Sequence, residues 1–167
     1  GFDNVSEHLL EVGNKFAWDH WLVPRLAKQL GLDIIFNPKL SVPLFSSIKR
    51  VFVLRPEQFV HPELFRPLDR RYFKFFIPRF CRASARVIAP TEQATQDIIQ
   101  YVGVEPGKMV TVHEACGEHF FTPSQEGEAE RVRQKYELPQ RFVLFVGALS
   151  PLKNFERLVE AFARVQA

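Results

Sequence analysis

Five short apolar runs rich in β-branched residues constrain this chain more than any other feature: Asp33–Phe36, Val51–Leu54, Arg86–Ala89, Met109–Val112 and Phe142–Val146. Each has the length of a strand, and apolarity that is nearly continuous, not alternating, marks strands of a parallel sheet covered on both faces. Parallel neighbours need crossovers, and the 12 prolines and 8 glycines punctuate the chain at intervals that suit strands alternating with helices. The expected class is therefore α/β, a parallel sheet with helices on both faces.

The helical segments carry apolar positions at three-and-four spacing, so one side packs on a sheet while the other stays wet. The first, Lys15 to Leu30, shows Trp18, Trp21, Leu22, Leu26 and Leu30, and Gly31 followed by Leu32 reads as a left-handed stop. The second, Asp69 to Ala83, places Tyr72, Phe73, Phe76, Ile77 and Phe80 on one stripe and contains Pro78, which should kink it. The third, Thr91 to Val102, opens on a hydroxyl cap, packs Ala94, Ile98, Ile99 and Val102, and stops at Gly103. Helices are also expected over Glu126–Tyr136 and Asn154–Val165, the latter with Phe155, Leu158, Val159, Phe162 and Val165 on one face.

Charge is unevenly spread. The net value is only +3, yet Arg66, Arg70, Arg71, Lys74, Arg79, Arg82 and Arg86 face a single acid, Asp69. That stretch can meet an anionic partner. Its aromatics fall at core spacing, so nucleic acid is not expected, while peripheral contact with an anionic membrane fits the basic rim. Every apolar run is interrupted well short of a bilayer span. The first ten residues hold Asp3 and Glu7 without a basic start, so no secretory leader is legible, although a trimmed terminus would read the same. Cys81 and Cys116 make no disulfide framework. A cytoplasmic location, with or without peripheral membrane contact, is the expectation.

The sharpest local chemistry lies in Phe142-Val-Leu-Phe-Val-Gly147-Ala-Leu-Ser-Pro-Leu-Lys153-Asn154. A strand that turns through glycine into a helix aims unpaired amides outward, and Lys153 adds a full positive charge suited to a phosphate or diphosphate. The same residues also fit a plain tight turn with a solvated lysine, and the spacing is neither a P-loop nor a dinucleotide fingerprint. His113, Cys116 and His119 are evenly spaced and include zinc-compatible ligand types, but the spacing matches no established site, so no metal is expected. No Gly-x-Ser-x-Gly or His-Glu-x-x-His pattern occurs, which disfavours hydrolase chemistry.

Several phrases, in order, resemble the retaining GT-B glycosyltransferases of family four: Asp33-Ile-Ile-Phe-Asn-Pro38, His61-Pro-Glu-Leu-Phe65, Ala85-Arg-Val-Ile-Ala-Pro-Thr-Glu92 with Gln96-Asp-Ile98, and Lys108-Met-Val-Thr-Val112. Phe120-Phe-Thr-Pro123, Lys135-Tyr-Glu-Leu-Pro139 and Phe142 to Asn154 are similar to that family's linker and the opening of its donor domain. The resemblance implies a partial GT-B architecture of Rossmann-like domains. Residues 1–113 would be part of the acceptor-side domain, 114–141 the linker, and 142–167 the first βα unit of the donor-binding domain. The implied reaction is hexosyl transfer from a nucleotide sugar to an unknown acceptor, with the nucleotide sugar as substrate and no cofactor.

By the same resemblance, Gly147, Lys153 and Asn154 would meet the donor diphosphate, and Arg55, Glu57, Thr91 and Glu92 would line the cleft or acceptor side. No catalytic residue is assigned. Three departures matter. Arg55 and Pro56 stand where the family places a His followed by Asp or Gly, and a guanidinium cannot act as a neutral imidazole acceptor. Ala148 occupies a position where some members carry Arg. Further donor-domain strands, with a pair of glutamates, would lie beyond residue 167 and a glycine-rich loop before residue 1, so little turnover is expected of this chain alone. The other reading is a noncatalytic module that docks a polyanion, a membrane surface or a protein through the Arg66–Arg86 rim.

Overall fold

The computed structural model describes residues 3–11, 13–123 and 125–166. It forms two compact units, Gly1–Glu114 and Ala115–Ala167. The first is an α/β Rossmann-like fold. Its sheet contains β1 (Ile34–Asn37), β2 (Lys49–Val53), β3 (Arg86–Ala89) and β4 (Met109–Thr111), all parallel and paired in chain order. Phe36 lies opposite Val51, Val53 opposite Ile88, and Ile88 opposite Val110. Because every strand points the same way, all four carboxyl ends share one edge, where α/β folds place their ligands.

Helices surround the sheet. The first helical run comprises α1 (Lys15–Ala17), a π-type segment Trp18–Leu22, and α2 (Val23–Gln29). Asn14 caps it, its Oδ1 accepting from the Phe16 and Ala17 amides. Pro24 has no N–H to give, and next to it the Val23 amide reaches back five residues to the Trp18 carbonyl, which widens the turn. The stop is the expected one: Gly31 has φ 65° and the Leu32 amide bonds the Ala27 carbonyl at 2.9 Å.

Between β2 and β3 lie α3 (Glu57–Val60) and α4 (Pro67–Ala83). Proline at its start lets α4 begin two residues earlier than expected, and the helix continues through Pro78. After β3 come α5 (Glu92–Asp97) and a second π-type segment, Ile98–Val102, closed by Gly103 at φ 74°. Thr91 caps α5, its hydroxyl accepting from the Ala94 amide at 3.0 Å.

The core joins Phe52 and Leu54 at β2 to Val87 and Ala89 of β3, Ile77, Phe80 and Cys81 of α4, and Ala94 and Ile98 after β3. Each large side chain fully buried here contributes roughly 1.5–3 kcal/mol. Burial is heavier on one face. Along β1 and β3 it alternates, with Ile35, Val87 and Ala89 inward; on the other parity Val51, Val53 and Ile88 are half-buried, whereas Ile34 and Phe36 of β1, Val110 of β4 and Val112 after it are exposed. The β1–β2 connection contains no helix. Instead its Val42 is fully buried, and Arg50 Nη1 donates to the Pro43 and Leu44 carbonyls at 3.0 and 3.2 Å.

The second unit contains α6 (Glu128–Lys135) and α7 (Phe155–Gln166), with short 3-10 turns at Glu118–Phe120 and Pro151–Lys153. The expected strand Phe142–Val146 is corrected here: these residues form no ladder, since no described residue of this unit supplies a strand to pair with. None of the described residues of the second unit is buried, and the α7 face bearing Leu158, Val159, Phe162 and Val165 is exposed.

Candidate functional site

At the carboxyl edge of the sheet, Arg55 follows β2, Thr91 and Glu92 follow β3, and Glu114 follows β4. Arg55 Nη2 pairs with Glu114 Oε1, a contact across 59 residues of chain. Hydrogen bonding to Glu114, its charge, and that of Glu57 raise the Arg55 guanidinium above its ordinary value. A carboxylate therefore already occupies part of the fork that would receive a phosphate. Glu57 opens α3 and Glu92 opens α5, both exposed, and the Thr91 oxygen is committed to the α5 cap. These residues share an edge because the topology puts them there, and Arg55 and Glu114 form an ion pair across it.

A second polar group lies at the β1 end and escaped the sequence reading. Asp19 and Ser41 are buried, and Asp19 Oδ2 accepts from Lys15 Nζ at 2.5 Å and from Ser41 Oγ at 3.0 Å. Asn37 Nδ2 donates to the Ser41 carbonyl at 2.7 Å. Neighbouring His20 is also buried, its Nδ1 accepting from the Leu44 amide at 3.2 Å and its ring 4.3 Å from that of Phe16. Burial lowers the His20 imidazole below its ordinary value, Lys15 adds to that, and Asp19 opposes it. The same Asp19 charge, after burial, raises the Tyr72 phenol. The signal in the sequence was the Asp19-His20 pair, four residues from Lys15, among the apolar positions of this helical run; Ser41 and Leu44 are too distant in the chain to be read.

In the second unit, the turn before α7 holds Gly147, Lys153 and Asn154. The Lys153 amide donates to the Ser150 carbonyl at 2.9 Å, and Asn154 adopts φ 52° as the chain enters α7. A Cβ at Gly147 would lie 3.3 Å from the Phe145 ring and 3.9 Å from Lys153 Cγ, so glycine permits the ring and the lysine stem to lie close. The Phe145 ring lies 4.9 Å from that of Phe155, tilted by 53°. An open concavity of about 280 Å³ beside α7 is lined by Leu149, Ser150, Pro151, Asn154, Phe155 and Glu156. Asn154 reaches this concavity; Gly147 and Lys153 are not in its lining, and Glu156 places an acid there.

His113 and Cys116 are exposed, one in each unit, and the side chain of His119 lies outside the described residues. Among the described residues no group of three His, Cys, Asp or Glu could hold a metal ion, and no helix is long and apolar enough to cross a membrane.

No family model matches the chain. Among curated proteins, it is 28% identical over 102 residues to the serotype-specific mannosyltransferase WbdA of Escherichia coli, a match covering 60% of this chain and 12% of that protein. It is 34% identical over 82 residues to a D-inositol 3-phosphate glycosyltransferase of Streptosporangium roseum, covering 48% of this chain and 18% of the relative. Both are glycosyltransferases, and the matches span well under a quarter of their lengths. Among solved structures, HepE of Anabaena, in complex with UDP and glucose, superposes with a TM-score of 0.64 over 90% of this chain and 42% of that one at 21% identity. That likeness establishes the fold.

Proposed function

We propose that this chain belongs to a glycosyltransferase of the retaining GT-B type, family four, which moves a hexosyl group from a nucleotide sugar to an acceptor. The observation that carries the reading is the sequence similarity to two kinds of glycosyltransferase, a mannosyltransferase and an inositol phosphate glycosyltransferase. The parallel sheet, shared with a protein solved with UDP and glucose, agrees with it. No observation favours a noncatalytic module.

In this reading, the bond between the sugar C1 and the diphosphate oxygen breaks while an acceptor hydroxyl oxygen bonds to C1, and the hydroxyl proton passes to the departing diphosphate. Negative charge grows on the leaving nucleoside diphosphate, and a fixed cation close to it lowers the barrier. Lys153 supplies that cation, Gly147 lends backbone unobstructed by a Cβ, and Asn154 contributes its side-chain amide. On the acceptor side, Arg55, Glu57, Thr91 and Glu92 present polar groups from the carboxyl edge of the sheet. Arg55 engages a ligand by exchanging Glu114 for it.

The experiment is calorimetric titration of the chain with UDP, GDP and ADP. Saturable binding to at least one, weakened about tenfold or more by Lys153→Ala, is expected for the loss of a charge-assisted contact. Absence of binding to all three, or binding that ignores Lys153→Ala, contradicts the proposed donor site.

A further inference from the structure

We propose that Lys15 and Asp19 form a binding site for two adjacent hydroxyl groups of a neutral sugar, on the acceptor side of the sheet edge. The proposal rests on the acceptor reading given above and deepens it by naming the ligand chemistry. Asn37 ends β1 and lies opposite Phe52 of β2, three residues before Arg55, so the cluster around Asn37 and Ser41 borders the edge that carries Arg55. Ser41 is brought there by the β1–β2 connection, which has no helix. Its hydroxyl is fully used: it donates to Asp19 Oδ2 at 3.0 Å and accepts from Lys15 Nζ at 3.3 Å and from Asn37 Nδ2 at 3.4 Å.

Lys15 and Asp19, in contrast, keep bonding capacity to spare. An ammonium has three protons, and here one goes to Asp19 Oδ2 and one to Ser41 Oγ. The Lys15 side chain is 71% exposed, so the third is left for a ligand. Both bonds to the Asp19 carboxylate end on Oδ2, and Oδ1 is not one of the described atoms that are sealed without a partner, so that oxygen still reaches solvent. A donor and an acceptor therefore sit side by side, fixed by a carboxylate that is otherwise buried. Of two hydroxyls on adjacent carbons, one donates to Asp19 Oδ1 while its neighbour accepts from Lys15 Nζ. An anion suits this place less: the ammonium is already neutralised at 2.5 Å, and a phosphate would meet the charge of the carboxylate. The adjoining four-residue row is Phe16 and His20, whose rings lie 4.3 Å apart, and half-exposed Phe16 offers an apolar flank to the C–H face of a sugar ring. Packing alone does not require these polar groups, since well-packed apolar side chains often serve a buried position equally well.

The test follows backbone amide shifts of the 167-residue chain as methyl α-mannopyranoside, its fully O-methylated derivative and inorganic phosphate are added in separate titrations at millimolar concentration. The sugar should give saturable shifts over Lys15–His20 and Asn37–Ser41. The methylated derivative has no hydroxyl to donate to Asp19 and should bind about tenfold more weakly or worse, and phosphate should leave these amides in place. Lys15→Gln and Asp19→Asn should each weaken the sugar about tenfold, whereas Lys28→Gln, a charge control at the far end of the helical run, should not. If a variant fails to fold, the methylated derivative on the unaltered chain carries the comparison. In the Lys153→Ala chain the sugar shifts should persist. The proposal is overturned by the absence of saturable sugar shifts, by equal binding of the methylated derivative, by phosphate that reproduces the shifts, or by binding that survives both variants. Any of these with nucleoside diphosphate binding intact removes the hydroxyl site and leaves the donor reading standing; sugar shifts without binding of any nucleoside diphosphate do the reverse.

Discussion

Burial sets the chemistry of two side chains in opposite ways. Cys81 is buried on the inward face of α4, and desolvation pushes its thiol up to about 12, so almost no thiolate forms at neutral pH. Cys116 is exposed. A thiol-reactive dye should therefore label one cysteine rapidly and the other only on unfolding, and fast labelling of both in the native protein would contradict the packing. His20 is lowered below its ordinary value, chiefly by burial. A depressed imidazole takes fewer protons folded than unfolded, so its contribution to stability is complete above about pH 6.5 and declines as pH falls from there toward the folded-state value. Protonation would also set an N–H against the Leu44 amide that Nδ1 now accepts. Unfolding midpoints measured from pH 7.5 down to pH 5 should fall, and His20→Gln should flatten that slope; an unchanged slope would show that other groups titrate.

At the scale of elements, local signals determine ends and long-range pairing determines faces. Changing Thr91 to Ala removes the hydroxyl that caps α5 and should cost about 1 kcal/mol in denaturant unfolding. Gly103→Ala, at φ 74°, should cost a similar roughly 1 kcal/mol because a Cβ is disfavoured there. Phe52→Ala, at the centre of the sheet, should cost about 3–5 kcal/mol. Thr91, Gly103 and Gly31 were legible because capping and left-handed stops are properties of a few adjacent residues. The strand Arg86–Ala89 was legible at both ends for the same reason. Phe142–Val146 was not, since composition signals a strand but a ladder requires a neighbour. The unequal cover of the two faces was equally hidden: near-continuous apolarity does not separate the half-buried Val53 and Ile88 of the central strands from Ile34, Phe36, Val110 and Val112 at the edges, which are open. Nor does spacing reveal the Arg55–Glu114 pair or the Asp19–Ser41 bond, each formed by tertiary packing.

For the whole molecule, the two units differ in kind. The first holds the sheet and a closed core, whereas the second presents mostly exposed helices and the Gly147–Asn154 turn. The proposal of sugar transfer rests on relatives that are glycosyltransferases, and its division of labour puts donor charge on the turn and acceptor contacts on the sheet edge. The most direct measurement is a map of backbone amide shifts as the nucleoside diphosphate that binds in calorimetry is added. The account predicts saturable shifts concentrated from Gly147 to Phe155 and absent from the Lys153→Ala chain. Shifts confined to the basic face of α4, or unchanged by Lys153→Ala, would contradict it.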